Sequence, residues 1–104
     1  MTVPPLAEAP IGIFDSGVGG LSVWRQIVHH LPQESTIYLA DRAHVPYGHR
    51  QAEEIEAYAM AIAQLLAEQG CKAIVVACNT ASAVALQALR QHFPQLPILA
   101  SSRR

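Results

Sequence analysis

"AIVVACNTASAVALQALRQH", residues 73–92, decides the fold. Ala73 to Ala77 is a continuous β-favouring apolar run, expected of a strand buried on both faces. The stretch that follows is rich in Ala and predicts a helix, which must end before Pro94. Asn79 or Thr80 is expected to cap that helix. Cys78 stands where the strand hands over to the helix. Unsatisfied N–H groups and the positive end of the helix dipole gather there, a setting that favours thiolate over thiol.

The same alternation runs outward in both directions. Ile11-Gly12-Ile13-Phe14 is a short apolar run that breaks at Asp15 and at Gly17, Gly19 and Gly20. A helix should follow, with Leu21, Trp24, Val28 and Leu31 on one face and Pro32 as its stop. Thr36 to Ala40 reads as a second strand ending at Asp41. Arg42 to Arg50, containing Pro46, Tyr47 and Gly48, reads as an exposed loop. Ile55, Tyr58, Ala59, Ile62, Leu65 and Leu66 then form one helical stripe, with Glu53, Glu54 and Glu56 near the positive dipole end and Gly70 as the C-terminal stop. Pro97 to Ala100 looks like a last strand.

Strand and helix alternate over short connections. They imply an α/β fold with three layers, a parallel sheet joined by right-handed crossovers and helices on both faces. Ligands of such sheets sit at the carboxyl ends of the strands. Asp15-Ser16, Asp41 with its loop, and Cys78-Asn79-Thr80 all map to that edge. Their convergence is the structural argument for a site.

Composition narrows the function classes. At 104 residues the chain makes one small domain, able to bury about 60–70% of its unfolded surface. Half the residues are hydrophobic (51%) and 14% are charged, which excludes a disordered chain. The net charge is −1 and the only basic run is Arg103-Arg104, so there is no electrostatic footprint for nucleic acid or an anionic membrane. No apolar stretch reaches the ~20 residues of a membrane span. The first residues, MTVPPLAEAP, lack a basic segment and a continuous apolar run, so they are not expected to be a signal peptide. Without such a signal, Cys71 and Cys78 are expected reduced, in the cytoplasm.

Each motif has a plainer reading. "FDSGVGGLS" (14–22) follows a strand, but it has no lysine for a Walker phosphate loop. Gly17-x-Gly19 with Asp41 about twenty residues on resembles a dinucleotide fingerprint. Ser22 takes the third glycine position, however, and Asp15 would set a carboxylate against the pyrophosphate. These glycines can equally make only a tight turn. Asp15 and Ser16 can be simple turn or capping residues. Cys71 reads as a small buried hydrophobe. Asn79 and Thr80 can cap the helix and also donate to a substrate carboxylate. His29, His30 and His92 read as solvated helix positions. His44 and His49 flank the loop without a credible zinc spacing, so no metal is expected. Trp24 is expected in the core.

Taken together, "IGIFDSGVGGLSV", "YLADRAHVPYGHR" and "AIVVACNTASAVALQALR" resemble the N-terminal half of the glutamate racemases, in the aspartate/glutamate racemase family. The match covers residues 11 to 100 in the family's order and spacing. The resemblance implies cofactor-independent interconversion of L- and D-glutamate, without pyridoxal phosphate or metal, for peptidoglycan synthesis. It implies two similar α/β domains around a small-molecule substrate, glutamate, each giving one cysteine on opposite faces of the α-carbon. Full-length members are candidates for homodimers. On this chain it implies Cys78 as the first acid/base and Asp15 as its carboxylate partner. Asp15, Ser16, Tyr47, Gly48, Asn79 and Thr80 are implied as substrate-binding residues.

The domain layout expected is a disordered lead-in over 1–10, the racemase domain over 11–100, and an atypical tail over 101–104. The second domain, with its Gly-Cys-Thr-His stretch, has no match here. Cys71 cannot replace its thiol, because it lies at the far end of the same strand, ~20 Å from Cys78 by strand geometry. The 104-residue chain is therefore expected to be a weak or inactive racemase alone. Three other readings stay open: an aspartate racemase relative, against which DSGVGG and VPYG speak; a nonenzymatic binding half-site; and a nucleotide-binding domain.

Overall fold

The computed structural model describes residues 8–16, 21–44 and 47–100. Gly17, Gly19, Gly20, Pro46 and the Ser-Ser-Arg-Arg tail lie outside them. The described elements are strand β1 (Ile11–Asp15), helix α1 (Leu21–His30), strand β2 (Thr36–Ala40), a 3-10 turn (Tyr47–His49), helix α2 (Ala52–Glu68), strand β3 (Ala73–Val76), helix α3 (Asn79–His92) and strand β4 (Ile98–Ala100). All pairings are parallel, in the order β2-β1-β3-β4. This is the α/β fold the strand-helix alternation implied.

Register sets the faces. Phe14 pairs with Leu39 on one side and Val76 on the other, and Ile74 pairs with Ile98. Side chains alternate along a strand, so these residues share one face. That face meets Ile55, Ala59, Ala63 and Leu66 of α2 and Ala81, Ala85 and Leu89 of α3 in the main core. Alanines at the helix contacts let α2 and α3 lie close to each other and to the sheet. Right-handed crossovers put α1 on the opposite face, because β1 to β2 and β2 to β3 run in opposite directions across the sheet.

Helix α1 departs from expectation. None of its residues is buried, and Leu21, Val28 and Leu31 are exposed. Trp24 is half-buried and donates from its indole nitrogen to Thr36 Oγ1 at 3.0 Å, instead of filling the core. The apolar pattern gave the helix correctly but not the depth of its packing. On α2 the stripe is rotated slightly: Ala63 is buried and Leu65 is exposed. Of the expected lead-in, residues 1–7 lie outside the described structure. Glu8 to Pro10 do not behave as a loose lead: Ala9 is buried, and the Pro10 carbonyl accepts from Lys72 N–H at 2.9 Å.

Two glycines are needed for different reasons. A Cβ on Gly12 would come within 3.0 Å of Cys71 Sγ and 3.1 Å of both Leu66 methyls. Gly70 follows α2 with a φ of +81° and has open space around it. Gly12→Val is expected to cost about 1–3 kcal/mol through overpacking, and Gly70→Ala about 1–2 kcal/mol through backbone strain alone. Urea denaturation of both variants checks this pair of values.

Candidate active site

The carboxyl ends of β1, β2 and β3 are laced together by the backbone. Ala77 N–H donates to the Phe14 carbonyl at 2.7 Å, and Asp41 N–H donates to the Asp15 carbonyl at 2.8 Å. The ladder thus continues past the strands and brings Asp15, Asp41 and Cys78 to one edge.

Cys78 is the N-cap of α3, in extended conformation, and its sulfur accepts from Ala81 N–H at 3.5 Å. This corrects the expectation that Asn79 or Thr80 caps the helix: both lie inside its first turn, Asn79 exposed and Thr80 half-buried. The Ser16 hydroxyl, from the end of β1, donates to the same sulfur at 3.1 Å. Two donors therefore converge on Sγ at a helix N-terminus, an arrangement that suits negative charge on sulfur.

Asp15 is buried and held from two sides. Ser16 N–H donates to Oδ1 at 2.8 Å, and the Tyr38 hydroxyl donates to Oδ2 at 3.0 Å. Ser16 consequently touches both candidate catalytic groups, the carboxylate through its backbone and the sulfur through its side chain. Tyr38 was not singled out in the sequence. It comes beside Ile13, two residues before Asp15, only once β2 pairs with β1, so nothing in the sequence alone points to it. Burial and the Asp15 carboxylate push its phenol up to about 12.

Within 42–50, Arg42, Ala43 and His49 are exposed as the composition suggested, but Tyr47 is not. Tyr47 is 3% exposed and belongs to the core cluster with Phe14 and Cys78. Its hydroxyl donates to Asp41 Oδ2 at 2.6 Å, and burial, with Asp41 behind it, pushes the phenol well above its usual range. The Tyr47 hydroxyl points at Asp41, and Gly48 lies beside it in the 3-10 turn. His44, read as uninformative, lies 2.8 Å from Asp41 and stacks on Tyr58 at 3.7 Å.

Cys71 stays away from this edge. It follows α2 at the amino end of β3, packed near Gly12 and Leu66, and burial pushes its thiol up. Both cysteines are free. Among the described residues no group of three or more His, Cys, Asp or Glu side chains is placed to hold a metal ion, and no helix is long and apolar enough to cross a membrane.

Comparison with known proteins gives a consistent answer. The sequence model for Asp/Glu/hydantoin racemases matches residues 11–103. The chain is 58% identical over 92 residues to the glutamate racemase of Stutzerimonas stutzeri, covering 88% of this chain and 35% of that protein. The crystal structure of glutamate racemase from Francisella tularensis in complex with D-glutamate superimposes with a TM-score of 0.87 at 38% identity, over 90% of this chain and 36% of that one. Glutamate racemase from Thermus thermophilus, in complex with β-chloro-D-alanine, gives a TM-score of 0.86 at 47% identity, over 90% and 36%. The chain spans about a third of the length of these relatives.

The raised phenols carry a pH signature. A group whose folded pKa lies above its unfolded value stabilises the fold fully below the unfolded value and loses that contribution as pH rises through the folded one. For Tyr38 the window runs from 10.0 to about 12. Urea midpoints should therefore fall across this range, and Tyr38→Phe should flatten the fall.

Proposed function

The chain belongs to the Asp/Glu/hydantoin racemase family, and on that premise we propose that it forms one acid/base half of a glutamate racemase. Cys78 is the base for one face of the substrate's α-carbon. The observation that carries this reading is the convergence of the Ser16 hydroxyl and the Ala81 N–H on the Cys78 sulfur at the head of α3. Relatives over 50% identical bearing the name glutamate racemase support the choice of substrate.

The chemistry asks for this kind of setting. The α-proton of an amino acid is a very weak acid, so a thiolate can remove it only where the developing carbanion is stabilised by fixed donors. In the forward step the Cys78 thiolate takes the α-proton and becomes a thiol, and the electron pair stays on the α-carbon, spread into its carboxylate. A second thiol on the opposite face then gives its proton to that carbon and is left as thiolate. The resemblance puts that second thiol on sequence that these 104 residues do not contain.

The other residues have distinct roles in the proposal. The Asp15 carboxylate, held by Ser16 N–H and the Tyr38 hydroxyl, receives the substrate ammonium or passes a proton near Cys78. Asn79, exposed, and Thr80, half-buried, in the first turn of α3, donate to a substrate carboxylate, and the Tyr47-Gly48 turn closes the same edge. No cofactor takes part in these steps. The reading extends to a cytoplasmic protein whose D-glutamate feeds peptidoglycan assembly and so cell shape; two free cysteines are compatible with such a reducing compartment. A homodimer of the complete enzyme belongs to the same proposal.

A chimera tests it. Residues 11–100 of this chain would replace the matching third of a full-length glutamate racemase, and racemisation would be followed by chiral chromatography. The chimera is expected to interconvert both enantiomers, and Cys78→Ala in it to lower kcat by at least ~10³-fold, as loss of an essential acid/base does. A folded chimera whose activity survives Cys78→Ala would remove Cys78 from the reaction.

A further inference from the structure

Asp41 is a buried carboxylate that the proton-transfer steps leave unused. Removing a carboxylate from water is costly unless its oxygens are well bonded. Here they are bonded to residues of one segment. The Tyr47 hydroxyl donates to Oδ2 at 2.6 Å, and His44 Nδ1 lies 2.8 Å from Oδ1 and 2.9 Å from Oδ2. A carboxylate can only accept, so Nδ1 carries the proton in both contacts.

The partners of Asp41 are themselves held in place. The His44 ring stacks on Tyr58 of α2 at 3.7 Å with planes 14° apart. Arg50 donates from Nε to the His44 carbonyl at 3.1 Å and from Nη1 to the Tyr58 hydroxyl at 3.3 Å, and its backbone N–H closes the turn onto the Tyr47 carbonyl at 2.9 Å. On its other side the Asp41 backbone is tied to Asp15. One carboxylate therefore joins the end of β2, the 42–50 segment and, through His44, the face of α2. The far end of this arrangement is the buried Tyr47 ring, in one cluster with Phe14 and Cys78.

We propose that Asp41 is a positioning residue: by holding the Tyr47 hydroxyl and the His44 imidazole together, it fixes the Tyr47–His49 turn beside Cys78 and keeps the sulfur's surroundings closed. It acts through Tyr47 and does not touch the reacting atoms. The inference rests on the reading of Cys78 as the base, which gives the closed wall its purpose. An opened turn would admit water to the sulfur and blur the edge on which the substrate must settle.

The two cysteines supply the test. Iodoacetamide labelling of the 104-residue chain, followed by peptide mass spectrometry, gives separate rates for Cys78 and Cys71. Cys71 lies at the amino end of β3, away from the turn, so it reports global unfolding. Asp41→Ala and Tyr47→Phe are each expected to raise the Cys78 rate about tenfold, the scale of losing one hydrogen bond to a charged group, while Cys71 stays within about twofold of wild type. Asp41→Asn should recover part of the closure, since the amide oxygen still accepts from Tyr47. Tyr47→Phe removes a single hydroxyl and keeps the test available if Asp41→Ala does not fold. Unchanged Cys78 rates in both variants would overturn the proposal, as would parallel rises at Cys78 and Cys71, which mark a merely structural role. Protection of wild-type Cys78 by glutamate is scored separately: its absence removes the half-site reading, while the ratio of rates measured without glutamate still decides what Asp41 does.

Discussion

Two backbone hydrogen bonds, Ala77 N–H to the Phe14 carbonyl and Asp41 N–H to the Asp15 carbonyl, carry the site. They extend the ladders of the central strand by one residue on each side, after the strands proper have ended. The three carboxyl ends therefore leave the sheet as one rigid edge. Cys78 can cap its helix with its own sulfur because Ala77 is anchored one residue earlier. Asp15 can face Tyr38 and Ser16 because β1 is buried along most of its length and held on both sides. A loop-borne cysteine and aspartate would lack this fixed relation.

The geometry that results has an economy of parts. Ser16 contributes its backbone N–H to the carboxylate and its hydroxyl to the sulfur. Tyr38 and Tyr47 do parallel work on neighbouring carboxylates, Asp15 and Asp41. Both phenols are pushed upward by burial first and by their carboxylate partners second. The edge is thus built from tyrosine and serine hydroxyls that donate to carboxylates and to the Cys78 sulfur.

Much of this was legible in the sequence, for physical reasons that differ by element. The β3-α3 unit announced itself because a continuously apolar run makes a strand and its helix must start at once; the parallel sheet followed from the alternation. The strand is fully buried only at Ile74 and Val76 and half-buried at Ala73 and Val75, not on both faces as expected. Cys78 could be picked out because its place at a strand-to-helix junction has electrostatic consequences that do not depend on tertiary contacts. Asp41 was placed at the edge, but its partners, like the contacts of Tyr38 and His44, were harder, since they arise only when β2 is laid beside β1 and the following residues come back toward it. Tyr47 misled for a related reason: Pro46 and Gly48 around it spell a turn, and nothing local reveals that its ring turns inward. The cap went to Cys78 over Asn79 and Thr80 because the last extended residue before the helix was one position earlier than side-chain preference suggested. Leu21, Val28 and Leu31 show the converse limit, because periodicity reports a helical face and not what covers it.

The central claim is that Cys78 is a base serving one face of the glutamate α-carbon. Proton NMR of D-glutamate and L-glutamate, each incubated with the chain in D2O, measures that directly. The account predicts slow loss of the α-proton from one enantiomer only, and its disappearance in Cys78→Ala. Exchange that persists in that variant, or that proceeds equally on both enantiomers, would contradict it.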